Sequence, residues 1–302
     1  MQPFLISLEG GTTMRVVITG GAGNLGSKLR EHLETADWVE EIVAIDVAPF
    51  TAGSKTRVVV ADLADPYDER WRKEAQAADG IVHYASANPA PNSSWAESAA
   101  SFDMTANLLE QAGGGTKPCR FIFASSNHAM GGYKDAPLPA DGKLRMSTPH
   151  ISGTRYYDDG YKWGSAYGAT KALGERVCAA RAAATNGRIT AVSTRIGWCQ
   201  RGENLARTIA GSGGGDRGET DAAVLKRNAL WYRNMWLSNG DHNRLMVAAL
   251  RADASKWPAP AIVVSGMSNN TGMAWDLEEA REWIGYVPED NLWADLKAAG
   301  IE

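Results

Sequence analysis

A tyrosine and a lysine lie four residues apart in the segment SAYGATKALGE, at Tyr167 and Lys171. In a helix this spacing places both side chains on one face. A phenol is a poor base at neutral pH, because its unperturbed pKa is about 10, and a neighbouring ammonium group favours the phenolate. The pair therefore has the composition of a general base, although the same spacing also occurs in helices without catalytic function.

Four polar side chains follow an apolar run in the segment RFIFASSNHAMGGY, residues 120–133. The run predicts a buried strand, and it ends at Ser125, Ser126, Asn127 and His128. A turn needs only the glycine pair that comes after them. We therefore expect hydroxyl, amide and imidazole groups at the carboxyl end of this strand, where α/β proteins bind ligands.

A glycine-rich turn joins the first strand to the first helix in VVITGGAGNLGSKL, with glycines at Gly20, Gly23 and Gly26. This spacing permits a tight turn and lets the backbone approach a pyrophosphate at the helix N-terminus. Asp46 ends the second strand, where a carboxylate accepts hydrogen bonds from a ribose diol and repels a 2′-phosphate. The pattern predicts a dinucleotide site, and NAD as the cofactor.

Further cofactor contacts are predicted after the next strands. Asp62 and Leu63 suit the adenine side, although an aspartate that caps the following turn is an equally good interpretation. The segment VHYAS ends in small residues, which suit a close approach to the nicotinamide half. The full predicted cofactor set is Gly20, Gly23, Asn24, Leu25, Gly26, Asp46, Asp62, Leu63, Tyr84, Ala85, Ser86 and Lys171.

Short apolar strands alternate with amphipathic helices along the chain. This order predicts an α/β protein with a Rossmann-type, doubly wound parallel sheet and a small C-terminal substrate lobe. Residues 1–13 are predicted to be a flexible leader, and 14–302 one domain with substrate-lobe insertions at about 133–165 and 198–240. The predicted strands are 14–19, 42–47, 57–60, 81–85, 120–124, 190–196 and 261–265, and the predicted helices are 24–35, 67–78, 95–112 and 166–185.

Two segments interrupt this alternation. Residues 133–165 are rich in proline and aromatic residues, and 200–227 contain GSGGGDRGE. The first is predicted to be a lid, with a pocket shaped by Tyr156, Tyr157, Tyr161 and Trp163; for the second, a lid and disorder are both open.

Composition excludes several classes of protein. The chain has 302 residues, a net charge of −4 and 44% hydrophobic residues, so we expect a sizeable core and no nucleic-acid partner. No apolar run reaches the roughly 18 to 20 residues of a membrane span, and no signal peptide is recognisable, which predicts a cytoplasmic protein. The cysteines Cys119, Cys178 and Cys199 are widely spaced, so neither a disulfide framework nor a metal site is expected.

The glycine turn, the serine at the end of the fifth strand and the element YGATK together resemble the extended short-chain dehydrogenase/reductase family, from Met14 to Asn291. The resemblance implies that Ser126, Tyr167 and Lys171 are catalytic: the serine binds the reacting hydroxyl, the tyrosine removes its proton, and a hydride passes to nicotinamide. Ser125 is expected to bond to backbone. Asn127 and His128 stand where dehydratases of the family carry an acidic pair, which disfavours elimination.

The segments FASSNHAMGGY, TRIGW, NMWLS and GYVPEDN resemble the uronate dehydrogenase branch and the related archaeal NAD-dependent glucose-6-phosphate dehydrogenases. The resemblance implies oxidation at C1 of a cyclic aldose to a lactone, most simply of a uronic acid, with a sugar phosphate as an alternative. The substrate-binding residues that it implies are Ser126, Asn127, His128, Trp198 and Arg233.

Three positions depart from that branch. Trp198 replaces a serine, Trp231 replaces the carboxylate-binding arginine, and Ser101 stands where an asparagine of a proton relay is common. Arg233, Arg227 or Arg201 could supply the missing charge; alternatively none does and the substrate is neutral. Trp198, Trp231 and Trp236 are also compatible with a purely structural role.

Other functions stay open at this stage. A nucleotide-sugar epimerase would need a larger C-terminal lobe, and a dinucleotide-sensing regulator would have no use for Ser126, Tyr167 and Lys171 together. The predicted partners are a small sugar or sugar acid and a second copy of the chain. The resemblance suggests that helices 95–112 and 166–185 form the interface of that homodimer.

Overall fold

A computed structural model describes residues 13–135, 137–153, 155–157, 161–163, 165–210 and 220–301. Its centre is a seven-stranded sheet with the strand order β3-β2-β1-β4-β5-β8-β9, in which every pairing is parallel. The predicted doubly wound parallel sheet is therefore confirmed. The seven strands are β1 (Met14–Thr19), β2 (Val39–Asp46), β3 (Thr56–Val60), β4 (Gly80–His83), β5 (Cys119–Ser126), β8 (Ile189–Ile196) and β9 (Ala261–Gly266).

Helices cover both faces of this sheet. Successive residues of a strand point to opposite faces, and β1 illustrates the result: Val16 and Ile18 pack with α1 and α7, whereas Val17 packs with α2 and α3. Both faces are therefore buried, which is why the strands read as continuous apolar runs. The helices are α1 (Asn24–Leu33), α2 (Glu69–Ala77), α3 (Trp95–Gln111), α4 (Ser165–Ala184), α5 (Ala206–Ala210), α6 (Ala222–Asn234), α7 (Asn239–Arg251), α8 (Glu278–Ile284) and α9 (Leu292–Ala298).

The two irregular segments contain more regular structure than the sequence predicts. In 133–165, two short strands, β6 (Arg155–Tyr157) and β7 (Tyr161–Trp163), pair antiparallel, and a 3-10 helix at Asn127–Lys134 precedes this segment. In 200–227, α5 and the start of α6 are helical. The side chains of the four predicted lid aromatics, the glycine-rich 211–219 and the predicted leader before Thr13 lie outside the described residues.

Within the residues that the structure describes, no helix is long and apolar enough to cross a membrane. In the same part of the chain, no group of three or more histidine, cysteine or acidic side chains is arranged to hold a metal ion.

Candidate active site

A cavity of about 1220 Å³ runs along the carboxyl ends of the sheet strands. It reaches from the ends of β2 and β3, past the glycine turn after β1, to the segments after β5 and β8. All twelve predicted cofactor residues line it, and so do Ser126, Asn127, His128, Tyr167 and Trp198. Residues that sequence reasoning did not propose for the site, such as Tyr232 and Met235 of the α6 end, line it too.

The glycine turn has the shape that a dinucleotide requires. Gly20 has a φ of +68°, and a Cβ on Gly26 would lie 2.1 Å from the Gly20 carbonyl oxygen, so neither position accepts another residue without a backbone shift. Helix α1 starts after Gly23 without a side-chain cap, and its first turn carries no acidic residue. Its N-terminal amides and its dipole are therefore suited to the pyrophosphate of NAD.

Asp46 is held rigidly at the end of β2. Its Oδ2 accepts the Ala22 amide at 3.0 Å, and its Oδ1 accepts the Ala48 amide at 3.1 Å. Each carboxylate oxygen keeps further acceptor capacity, which suits a ribose diol. The same bonds tie Asp46 to the glycine turn, so it also has a structural role.

The remaining predicted cofactor residues have partners of their own. Asp62 Oδ1 accepts the Ala64 amide at 2.9 Å, which is the turn-capping role left open by the sequence, while the residue also lines the cavity. The Tyr84 hydroxyl lies 2.9 Å from His242 Nε2. Ser86 Oγ lies 2.9 Å from the Oγ of Ser101, the residue in the place of the relay asparagine.

The predicted base and its lysine meet in this cavity. Lys171 Nζ donates to the Ala124 carbonyl at 2.7 Å and lies 5.6 Å from the centre of the Tyr167 ring. Burial lowers the pKa of Lys171 to about 8, because the charged form is poorly solvated there. Lys171 is thus a buried cation next to the phenol, held by the strand that carries Ser126.

Ser126 and His128 form the part of the cavity wall next to Tyr167. Ser126 Oγ accepts the His128 amide at 3.2 Å and lies 3.2 Å from His128 Nδ1. The His128 ring meets the Tyr167 ring edge to face, with centres 5.6 Å apart. Burial lowers the pKa of His128 to about 4, so this imidazole is neutral at pH 7.

Two polar atoms of this wall are buried without a partner. Asn127 Nδ2 donates to the Ile196 carbonyl at 3.0 Å, whereas Asn127 Oδ1 and His128 Nε2 have no hydrogen-bond partner among the residues that the structure describes. Buried polar atoms are nearly always paired, so unpaired ones next to a cavity indicate a place where a ligand supplies the bond.

The expected backbone bond of Ser125 is not found. Its Oγ instead donates to Oε1 of Glu175 at 2.6 Å. Arg195 and His150 also bind this carboxylate, at 2.9 and 2.8 Å. Burial raises the pKa of Glu175, but the bond from His150, the charge and bond of Arg195 and the Ser125 bond together lower it to about 2. Sequence reasoning missed Glu175, although its position four residues after Lys171 was a usable signal.

The three candidate arginines have different positions. Arg233 is absent from the described residues that line the cavity, whereas Arg201 is among them. Arg227 is half-exposed and pairs with Asp135 at 2.9 Å. Trp231, in the place of the branch's arginine, is buried against Trp275 with ring centres 4.6 Å apart.

The NAD dependent epimerase/dehydratase family model matches residues 16–197. The match covers more than half of the chain, from β1 to the end of β8, and the chain belongs to this family. The glycine turn and the ends of β2 and β5 all fall within it. The predicted family is confirmed, and NAD, which the family description names and the glycine turn fits, is confirmed as the predicted cofactor.

Individual relatives are distant but match along most of their length. The chain is 27% identical to L-arabinose 1-dehydrogenase (NAD(P)(+)) of Haloferax volcanii over 281 residues, covering 92% of this chain and 97% of that protein. It is 28% identical to the NAD-dependent glucose-6-phosphate dehydrogenase of the same organism, covering 91% and 93%. The crystal structure of uronate dehydrogenase from Agrobacterium tumefaciens is similar with a TM-score of 0.64 at 25% identity, covering 95% of this chain and 88% of that one.

Proposed function

We propose that this protein is an NAD-dependent dehydrogenase that oxidises the C1 hydroxyl of a cyclic aldose to a lactone, with Tyr167 as the general base. The observation that carries the proposal is the meeting of Tyr167 and Lys171 of α4 with Ser126 of β5 in one cavity that also contains the glycine turn. The named activities of the relatives support a sugar hydroxyl as the substrate group.

Tyr167 removes the hydroxyl proton in this proposal. The positive charge of Lys171, 5.6 Å from the ring centre, stabilises the phenolate form in a cavity where the low dielectric strengthens the interaction. Both residues are on α4, and the bond from Lys171 to the Ala124 carbonyl of β5 holds the ammonium group next to the phenol.

Ser126 binds the reacting oxygen. Its Oγ is fixed by the His128 amide, and its own hydroxyl can donate to the sugar oxygen as that oxygen loses its proton. NAD, when bound, accepts the hydride that leaves C1. The lactone then opens in water to the aldonic acid.

A uronic acid, an uncharged aldose and a sugar 6-phosphate all present this C1 hydroxyl, and they differ at the far end of the ring. The resemblance in sequence favours a uronic acid, and one relative each is named for an uncharged sugar and a sugar phosphate. The cytoplasmic location and the homodimer through α3 and α4 stay predictions.

The variant Tyr167→Phe tests the proposal. We expect NADH formation, followed by absorbance with a panel of aldoses, to fall by at least about 100-fold, because general base catalysis is lost. The affinity for NAD, measured by calorimetry, should be retained. The control is Tyr133→Phe, which removes a buried phenol oxygen that bonds the Pro149 carbonyl outside the cavity. A Tyr167→Phe enzyme with nearly full activity would exclude the proposed base.

A further inference from the structure

Trp198 and Tyr232 form an aromatic wall of the cavity. Trp198 follows β8; its amide donates to the Met235 carbonyl at 2.6 Å, and its carbonyl accepts the Leu237 amide at 3.1 Å. The Trp198 ring meets the Tyr232 ring edge to face, with centres 6.3 Å apart. Trp198, Tyr232 and Met235 all line the cavity. This wall suits the apolar C–H face of a sugar ring.

The cavity lining also contains positive charge. Among the lining residues that the structure describes, Lys171 and Arg201 are the cationic ones. Lys171 lies beside Tyr167 at the reacting end. Arg201 follows Cys199 and Gln200, whose carbonyls accept hydrogen bonds from Asn24 and Lys28 of α1, at 2.9 and 2.6 Å. The backbone that carries Arg201 is therefore tied to the glycine turn, where a cofactor pyrophosphate would lie.

The unpaired oxygen of Asn127, in the segment that also contains Ser126 and His128, indicates the kind of group that binds there. Asn127 Oδ1 can only accept a hydrogen bond, and its Nδ2 is already used by Ile196. A sugar hydroxyl can donate to such an oxygen, whereas a carboxylate or phosphate oxygen cannot and would repel it. A buried anion also needs a partner cation to offset the loss of its hydration, and a hydroxyl does not.

From these contacts we propose that the substrate is an uncharged aldose, and that Trp198, Tyr232 and Asn127 select it over uronic acids and sugar phosphates. The proposal rests on the proposed function. It places the C1 hydroxyl at Ser126 and Tyr167 and the far side of the ring against Trp198 and Tyr232. Besides Lys171, the cationic side chain among the described lining residues is Arg201, and the two residues before Arg201 are bound to α1 on the cofactor side.

Matched sugars test the proposal. D-galactose and D-galacturonate differ only at C6, and D-glucose and D-glucose 6-phosphate differ only by the phosphate. We expect kcat/KM, from NADH absorbance, to be at least about tenfold higher for the uncharged member of each pair. Calorimetric titration of the same sugars into the enzyme–NADH complex gives a second readout without turnover, and the uncharged sugars should again bind more tightly.

A positive charge introduced at the aromatic wall should weaken the preference for uncharged sugars. In Tyr232→Arg, the ratio of kcat/KM for galacturonate to that for galactose should rise by at least about tenfold, because a guanidinium pairs with a carboxylate. Leu230→Arg is the control: it adds the same charge to the same helix at an exposed position, and the ratio should not change. Arg201→Ala should raise the KM for NAD and leave the preference between sugars unchanged.

The outcomes separate this inference from the proposed function. If the enzyme forms NADH faster with galacturonate or glucose 6-phosphate than with the matched uncharged sugar, the inference is wrong and the proposed function stands. A fall in kcat/KM for galacturonate, but not for galactose, in Arg201→Ala would equally overturn the inference. If NAD binds but no sugar of either kind is oxidised, the proposed function itself fails.

Discussion

Ser125 Oγ donates a 2.6 Å hydrogen bond to Glu175 Oε1, and this bond joins β5, which carries Ser126, to α4, which carries Tyr167 and Lys171. Ser125 precedes Ser126 on β5, and Glu175 follows Tyr167 and Lys171 at intervals of eight and four residues on α4. The carboxylate also binds Arg195 of β8. The distance between Ser126 and Tyr167 therefore depends on a buried ion pair, and neither Glu175 nor Arg195 is among the described residues that line the cavity.

The first prediction concerns Glu175→Gln. The variant leaves the guanidinium of Arg195, which is 2% exposed, without its buried counter-charge. Removal of one partner from a buried ion pair costs about 3–5 kcal/mol, and we expect the free energy of unfolding in urea to fall by about that amount. The control is Arg176→Gln, which neutralises an exposed charge next to it. Equal stability of Glu175→Gln and the wild type would contradict this account.

The two adjacent serines should separate stability from activity. Ser125→Ala removes the bond to Glu175, so we expect a loss of about 1–3 kcal/mol in unfolding free energy with kcat reduced only modestly. Ser126→Ala removes the acceptor of the buried His128 amide, so we expect a loss of about 1 kcal/mol in unfolding free energy. Its kcat should fall by about 100-fold or more, as for loss of a donor to a developing oxyanion. Urea titrations and NADH assays on both variants make the comparison. The reverse pattern would assign catalysis to Ser125.

Gly26→Ala should reduce the affinity for NAD. Its Cβ would lie 2.1 Å from the Gly20 carbonyl oxygen, so the turn and the start of α1 must move apart. We expect the dissociation constant for NAD, measured by calorimetry, to rise at least about tenfold, since the backbone amides that face the pyrophosphate shift with the turn. Ser27→Ala, one residue further along the helix, is the matched control. Unchanged NAD binding in Gly26→Ala would show that the turn does not hold the cofactor.

Acid should destabilise the protein through His83. Burial, with a contribution from the charge of Lys171, lowers the pKa of His83 from 6.5 to about 3. Below pH 6.5 the unfolded chain binds a proton that the folded protein excludes, so this stabilisation is present above 6.5 and is lost as the pH falls towards 3. The slope for one histidine is about 1.4 kcal/mol per pH unit.

The variant His83→Gln isolates this effect. Between pH 7.5 and pH 5 the difference in unfolding free energy between the wild type and the variant should shrink by about 2 kcal/mol. His32→Gln, at an exposed position on α1, should show no such change. A constant difference for His83→Gln across this range would mean that His83 is not the acid-sensitive group.

Much of the site could be predicted from the sequence because its determinants are local. Each of these determinants lies within a single turn, strand or helix. They are the glycine spacing of the first turn, the carboxylate at the end of β2 and the four-residue interval between Tyr167 and Lys171. Strand identity followed from apolar runs that both faces of the sheet bury. The sequence accordingly indicated the parallel α/β fold and the cofactor end of the cavity.

Other features depend on segments that are distant in the chain. The partner of Ser125 is fixed by how α4 packs on β5. The position of the end of α6 is fixed by the bond between the Trp198 amide and the Met235 carbonyl. The periodicity of the sequence predicts neither of these positions, because it shows which face of a helix is apolar but not the angle at which the helix packs. The sequence by itself determined the fold and the cofactor, and it predicted Tyr167 and Lys171 as neighbours on one helix. Only the tertiary structure decided that Trp198 and Tyr232 wall the substrate end while Trp231 packs into the core, because residues adjacent on one helix point in different directions.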